Sequence, residues 1–180
     1  MQDLLQRQGY AASGVSQVLA LAGAPKGVLY HHFPSGKGEL AQAAISASAA
    51  RVLDLLDRLF TRQPHVLLAL DLWIANSAST LSDSQFARGC PLATIALEAA
   101  ATDDALQATL AEAFTAMRAR IALQFERSGV DPARAATFAA LTLSAYEGGL
   151  LLSRAARSTD PLLHAMRALR ELFELHLGAP

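Results

Sequence analysis

The stretch Gly23-Ala24-Pro25-Lys26-Gly27-Val28-Leu29-Tyr30-His31-His32-Phe33 decides the fold, because it reads as the turn and second helix of a helix-turn-helix. Just before it, Val15, Val18, Leu19 and Ala22 recur at helical spacing, so one face of that segment is apolar. Gly23 supplies a residue that tolerates positive φ, which a tight turn between helices needs. Pro25 stands where a helix begins, and there its missing N–H costs nothing. Val28 and Leu29 are expected to face inward. Lys26, Gly27, Tyr30 and His31 are then left outward or at the helix start. A cation, a gap without a side chain and an aromatic hydroxyl at a helix N-terminus suit a phosphate-flanked major groove.

The charge distribution agrees with that reading better than the charge sum. The whole chain of 180 residues carries a net charge of −1. Yet its only lysines, Lys26 and Lys37, lie near the N-terminus, and residues 1–38 hold Arg7, Lys26 and Lys37 against Asp3 alone. Modest positive charge on one part fits a specific, dimeric reader of DNA rather than a coating protein.

Every element reads as helix, since alternating β-branched runs with hairpin turns are absent. The spacing predicts nine helices, near 1–8, 15–22, 25–32, 37–61, 65–81, 91–101, 104–128, 132–157 and 160–177. Ser13 is the expected N-cap of the second, Asp103 or Asp104 of the seventh, and Asp131 followed by Pro132 opens the eighth. Gly129 ends the seventh, and residues 82–89 form a loop. The length suits a small DNA-binding head, 1–36, and one larger helical body, 37–180.

Taken together, Gly9-Tyr10, Ser13, the apolar run from Val15 to Ala22, Gly23 and then Lys26-Gly27-Val28-Leu29-Tyr30-His31-His32-Phe33 resemble the tetracycline-repressor-like (TetR) family of transcriptional regulators. Ala24-Pro25-Lys26-Gly27, Gly89-Cys90-Pro91-Leu92-Ala93-Thr94 and Tyr146-Glu147-Gly148-Gly149 are similar to its LmrA/YxaF-like branch. The resemblance implies an all-α regulator that binds a palindromic double-stranded operator as a homodimer and responds to a small apolar effector. It implies phosphate contacts from Lys26, Tyr30, His31 and Lys37, a close approach to base edges at Gly27, and a phosphate held by Ser13. Gln17 is the residue of the second helix most able to read a base or phosphate. Against each of these stands the plainer reading of solvated surface. His32 and Phe33 are expected to pack. Only residues 1–8, with Asp3 to Gln8 as the helical part, precede Gly9, fewer than the first helix and basic arm of the family. A short first helix is therefore expected, with a natural start upstream of Met1 or a weakened head.

In the body, Leu70, Trp73, Phe86, Cys90 and Ile95 are candidate effector contacts, with Phe114, Met117 and Phe138 beside them. Trp73, Asn76 and Arg118 would be the polar handles of such a pocket. For each, ordinary core is the alternative. Cys90 precedes Pro91 at a helix N-terminus, where a thiol pKa can fall, but a small packed side chain is the simpler reading. On the eighth helix Ala145, Gly148, Gly149, Leu152, Ser153 and Ala156 form a stripe of mostly small residues. On the ninth, Leu162, Met166, Leu169 and Phe173 form an apolar stripe. By resemblance these two stripes would pair with their copies in a four-helix dimer interface.

Several classes are disfavoured. A phosphate-binding loop, a nucleophile elbow, a His-Glu-x-x-His and paired carboxylates in an apolar setting are missing, so no catalytic residue and no cofactor is expected. His65, His164 and His176 lack metal spacing with each other and with Cys90. One cysteine forms no internal disulfide, which agrees with a reducing bacterial cytoplasm. No run of membrane-spanning length and no signal peptide is expected. The surviving rival to a ligand-responsive repressor is a helical partner-binding module with lost or weakened DNA binding.

Overall fold

The computed structural model describes residues 1–177, which form helices joined by turns and no strand. The nine helices are α1 (Gln2–Gln8), α2 (Val15–Ala22), α3 (Lys26–His32), α4 (Lys37–Arg62), α5 (Val66–Asp83), α6 (Pro91–Ala99), α7 (Asp104–Arg127), α8 (Pro132–Ala156) and α9 (Asp160–Leu177). Their limits lie within about two residues of those the spacing predicts, because caps set most of them. Asp131 accepts the Arg134 N–H at 3.0 Å ahead of Pro132, and Asp103 accepts the Leu106 N–H at 3.0 Å. Gly23 closes α2 in the left-handed region at φ 63°, and Gly129 follows α7 at φ 89°. Ser13 is not a cap: Gly14 holds that position and no side chain caps α2.

The chain gathers into two compact units. The first joins Met1–Ala50 to Cys90–Phe114, and the second joins Arg51–Gly89 to the residues from Thr115 onward. This differs from a cut after residue 36, since the first half of α4, all of α6 and the start of α7 group with α1 to α3. In the first unit, Ala41, Ala44, Ile45, Ser48 and Ala49 recur at helical spacing along α4 and are all buried. Leu4 and Leu5 of α1 are buried as well, and α1 packs on α6.

The second unit is built on α8 and α9, the most extensive helix pair described, with α5 also against α9. Glycine is required at the α8–α9 crossing: a Cβ on Gly149 would stand 3.0 Å from the Leu162 Cα. Ser153 accepts the Leu162 N–H at 3.1 Å beside it. Phe173 of α9 meets Phe125 of α7 at 5.0 Å and Phe138 of α8 at 4.6 Å between ring centres, an aromatic cluster at the heart of this unit.

That packing corrects the expected dimer stripe. Leu162, Met166, Leu169 and Phe173 are buried within the chain itself, so they are core and do not wait for a partner. So are Gly149 and Ser153 on α8. A different face is left outward: Leu141, Leu151 and Leu152 on α8, Leu172 and Leu175 on α9 are large apolar side chains in contact with solvent. The membrane expectation is corrected too. By length and composition α8 could cross a bilayer, with mean hydropathy 1.3 in its most apolar window. Its packing on α9 is also that of a long core helix, which passes the same test.

Candidate nucleic-acid interface

The turn between α2 and α3 follows from its residues. The Gly23 N–H donates to the Ala20 carbonyl at 3.2 Å and the Ala24 N–H to the Leu19 carbonyl at 3.0 Å, which Gly23 permits by its positive φ. Pro25, extended at φ −72° and ψ 154°, caps α3, so the helix begins one residue later than expected, at Lys26. Of the seven α3 residues, only Leu29 is buried. Lys26, Gly27, Tyr30, His31 and His32 all face solvent. Val28 does too, at 42% exposure, which corrects its expected inward placement. His32 is likewise surface and not packing, its ring edge-on to that of His31 at 5.0 Å. A seven-residue helix that buries one side chain has little reason to exist for packing alone.

Around it the other expected contacts divide. Gln17 is exposed on α2, and its side-chain oxygen accepts from the Gln8 amide at 2.8 Å. Lys37 is half-exposed and engaged: its ammonium donates to the Ala11 carbonyl at 3.2 Å and lies 4.4 Å over the Tyr10 ring. Ser13 is fully buried and its hydroxyl donates to the Gly9 carbonyl, so it braces the turn before α2 and offers nothing to a phosphate. Burial and the nearby Asp103 carboxylate hold the Tyr10 hydroxyl above its ordinary pKa. No acidic side chain lies on α2 or α3, so nothing on the two helices opposes a polyanion.

Residues 2–44, which contain this arrangement, match the bacterial regulatory proteins of the tetR family, and residues 67–168 match the C-terminal domain of LmrA/YxaF-like transcriptional regulators. The HTH-type regulator YxaF of Bacillus subtilis is 32% identical over 160 residues, covering 89% of this chain and 84% of that one. The chain belongs to the TetR family. A second Bacillus subtilis regulator, LmrA, is 26% identical over 171 residues, covering 95% of this chain and 91% of its own. A regulatory protein TetR from Rhodobacter sphaeroides superimposes with a TM-score of 0.85 at 26% identity, over 94% of this chain and 93% of its own. This TetR-family chain is thus a transcriptional regulator with an N-terminal DNA-binding domain and a C-terminal ligand-binding domain. The partner-module alternative is not favoured.

In the second unit of this TetR-family regulator, the expected effector contacts are divided between buried and exposed positions. Phe138 is spent in the aromatic cluster. Leu70 lines a cleft of about 10 Å³ against Met166 and Phe173, room for no more than a water. Asn76 and Arg118 are on the surface, so neither serves as the polar handle of an enclosed pocket. Met117 is buried and Phe86 half-buried. Trp73 is buried and stacks on Tyr146 at 4.2 Å, while the Tyr146 hydroxyl and the Ser77 hydroxyl lie 3.1 Å apart. Tyr146 of α8 and Ser77 thus flank Trp73, and the i, i+4 spacing of Trp73 and Ser77 on α5 was the available signal for Ser77. Phe86 takes a left-handed φ of 61° next to Gln85 at 52°, and Arg154 donates to the Phe86 and Ala87 carbonyls at 3.4 and 3.3 Å. In the first unit Ile95 is buried, Phe114 half-buried, and Cys90 half-buried at the N-cap of α6. Among the described residues, no group of three or more His, Cys, Asp or Glu side chains is placed to hold a metal ion.

Proposed function

We propose that this regulator is a repressor that binds a palindromic operator as a homodimer and is released by a small apolar effector. Residues 1–36, joined by Lys37, supply the DNA contacts, and the rest of 37–180 the effector and dimer contacts. Lys26, Tyr30, His31 and Gln17 meet phosphates and base edges, and Gly27 lets α3 sit deep in the major groove. Lys37 adds its charge from the start of α4. The observation that carries this reading is α3 itself, a helix that presents six of its seven residues to solvent and buries only Leu29.

Pairing of two chains uses the outer face of α8 and α9. Leu141, Ala145, Gly148 and Leu152 recur at four, three and four residues on α8, and a Cβ on Gly148 would meet nothing within 4 Å. A partner helix can approach there closely, and the exposed Leu172 and Leu175 extend the apolar face. Such a dimer places two copies of α3 in successive major grooves, about 34 Å apart. The effector shifts the balance of two arrangements only by its differential affinity for them. The regulator acts in the cytoplasm and carries out no catalysis.

Selection of duplexes by the wild-type chain from a random-sequence pool tests the proposal. Enrichment of an inverted repeat with half-sites one helical turn apart is expected. A pool that stays unenriched at low salt contradicts it. A thermal-shift screen of small apolar molecules tests the effector, since a ligand of the folded state raises the melting temperature.

A further inference from the structure

We infer that Glu98, on α6, is a positioning residue for DNA binding: its carboxylate clamps the Gly9–Ser13 turn from which α2 and α3 are hung. Glu98 lies 87 residues beyond the backbone it grips. It sits inside the part of the sequence that matches the C-terminal family domain. One carboxylate oxygen accepts the Ala11 N–H at 2.6 Å, the short distance of a charge-assisted bond. The other lies where a side chain of residue 9 would be: a Cβ on Gly9 would stand 1.8 Å from it. Glycine is favoured at position 9 by its φ of 81°, and a Cβ there would also push aside the Glu98 carboxylate and break the clamp.

The peptides on both sides of Ala11 are held. The Ala11 N–H goes to Glu98 and the Ala11 carbonyl to the Lys37 ammonium, so an anion from α6 and a cation from α4 fix the two successive peptide planes that meet at its Cα. Within the turn, Ser13 bonds back to the Gly9 carbonyl, and the Ser13 N–H donates to the Tyr10 carbonyl at 3.2 Å. Gln8 donates to the Ala12 carbonyl and to Gln17, which ties the same turn to α2. Without the clamp, the Ala11 amide loses its partner and the entry to α2 gains freedom. Glu98 repels phosphate and so makes no DNA contact itself. It acts by restricting the orientation of α2 and α3.

This inference rests on the DNA-binding reading, and the experiment separates the two. Glu98→Ala and Glu98→Gln are compared with wild type on the duplex that wild type enriches from the random pool. Glu98→Ala is expected to weaken binding about threefold, the low end for one lost hydrogen bond, since this one is exposed to water. The salt dependence should keep its slope, since no phosphate contact is removed. The fraction of chains able to bind, titrated at saturating DNA, should stay at the wild-type value, which a merely misfolded protein would not do. Glu98→Gln keeps an acceptor oxygen and should recover most of the affinity. Amide exchange at Ala11 should be slow in wild type and in Glu98→Gln and fast in Glu98→Ala. Wild-type affinity in Glu98→Ala, or a loss confined to the binding-competent fraction, overturns the inference and leaves the DNA-binding reading standing. Failure of wild type to enrich any duplex overturns both.

Discussion

The third and the ninth helix make opposite use of an apolar pattern. Helix α9 places Leu162, Met166, Leu169 and Phe173 on one stripe and buries all four inside its own chain. Helix α3 carries Val28, Leu29 and Tyr30 in a row and buries Leu29 alone, leaving Tyr30 55% exposed. A stripe recurring over about three turns has enough area to fix a core, whereas one leucine per seven residues only pins a helix in place. What α3 shows to solvent is therefore free to be chosen for recognition, and what α9 buries is chosen for packing. Among the described residues of α9, the large apolar side chains left exposed are Leu172 and Leu175, and the proposed pairing would use them.

Truncation is the most severe way to test that contrast. Phe173→Ala removes a side chain 1% exposed at the centre of three rings, and should cost about 3–5 kcal/mol in denaturant unfolding. Tyr30→Ala should leave the same unfolding curve within about 0.5 kcal/mol. Equal losses from the two would erase the distinction. Next in size, Leu151→Arg with Leu152→Arg puts two cations on the outer face of α8. Sedimentation should then report monomers of unchanged helix content, whereas a persisting dimer would move the interface elsewhere. Asp131→Ala removes the cap of α8 and should cost about 1 kcal/mol at unchanged denaturant slope. The smallest effect expected is Leu175→Ala. That residue is 80% exposed, so monomer unfolding should move by less than about 0.5 kcal/mol while self-association weakens.

Much of the fold could be read from the sequence because the signals were local. Gly23, Asp103, Gly129 and Asp131 each act within one turn of chain, and each ends or starts a helix as its chemistry requires. On α3 the exposed set was legible in part: Lys26, Gly27, Tyr30 and His31 face solvent as expected, but Val28 and His32 do too, because this helix of seven residues buries Leu29 alone. Burial across elements was not local. Periodicity identified the apolar stripe of α9 correctly but says nothing of whether α8, α5 or a second chain covers it. Ser13 failed as a cap and as a phosphate contact because its hydroxyl turns back to the Gly9 carbonyl, a bond that propensity does not foresee. Glu98 left no local sign at all, since its partner is a backbone amide far away in sequence. The effector contacts were the least legible, because an aromatic on a core helix looks alike whether it lines a cavity, as was expected of Phe138, or fills one.

Binding of the selected duplex across a salt series, by wild type, Lys26→Ala and Tyr30→Ala, tests the central claim most directly. If α3 is the reading helix, wild-type affinity falls steeply with salt. Each variant should bind about 1–3 kcal/mol more weakly, and Lys26→Ala should lower the salt slope by about one. If both variants bind as wild type does, with the same slope, α3 does not enter the groove and the account of this helix is wrong.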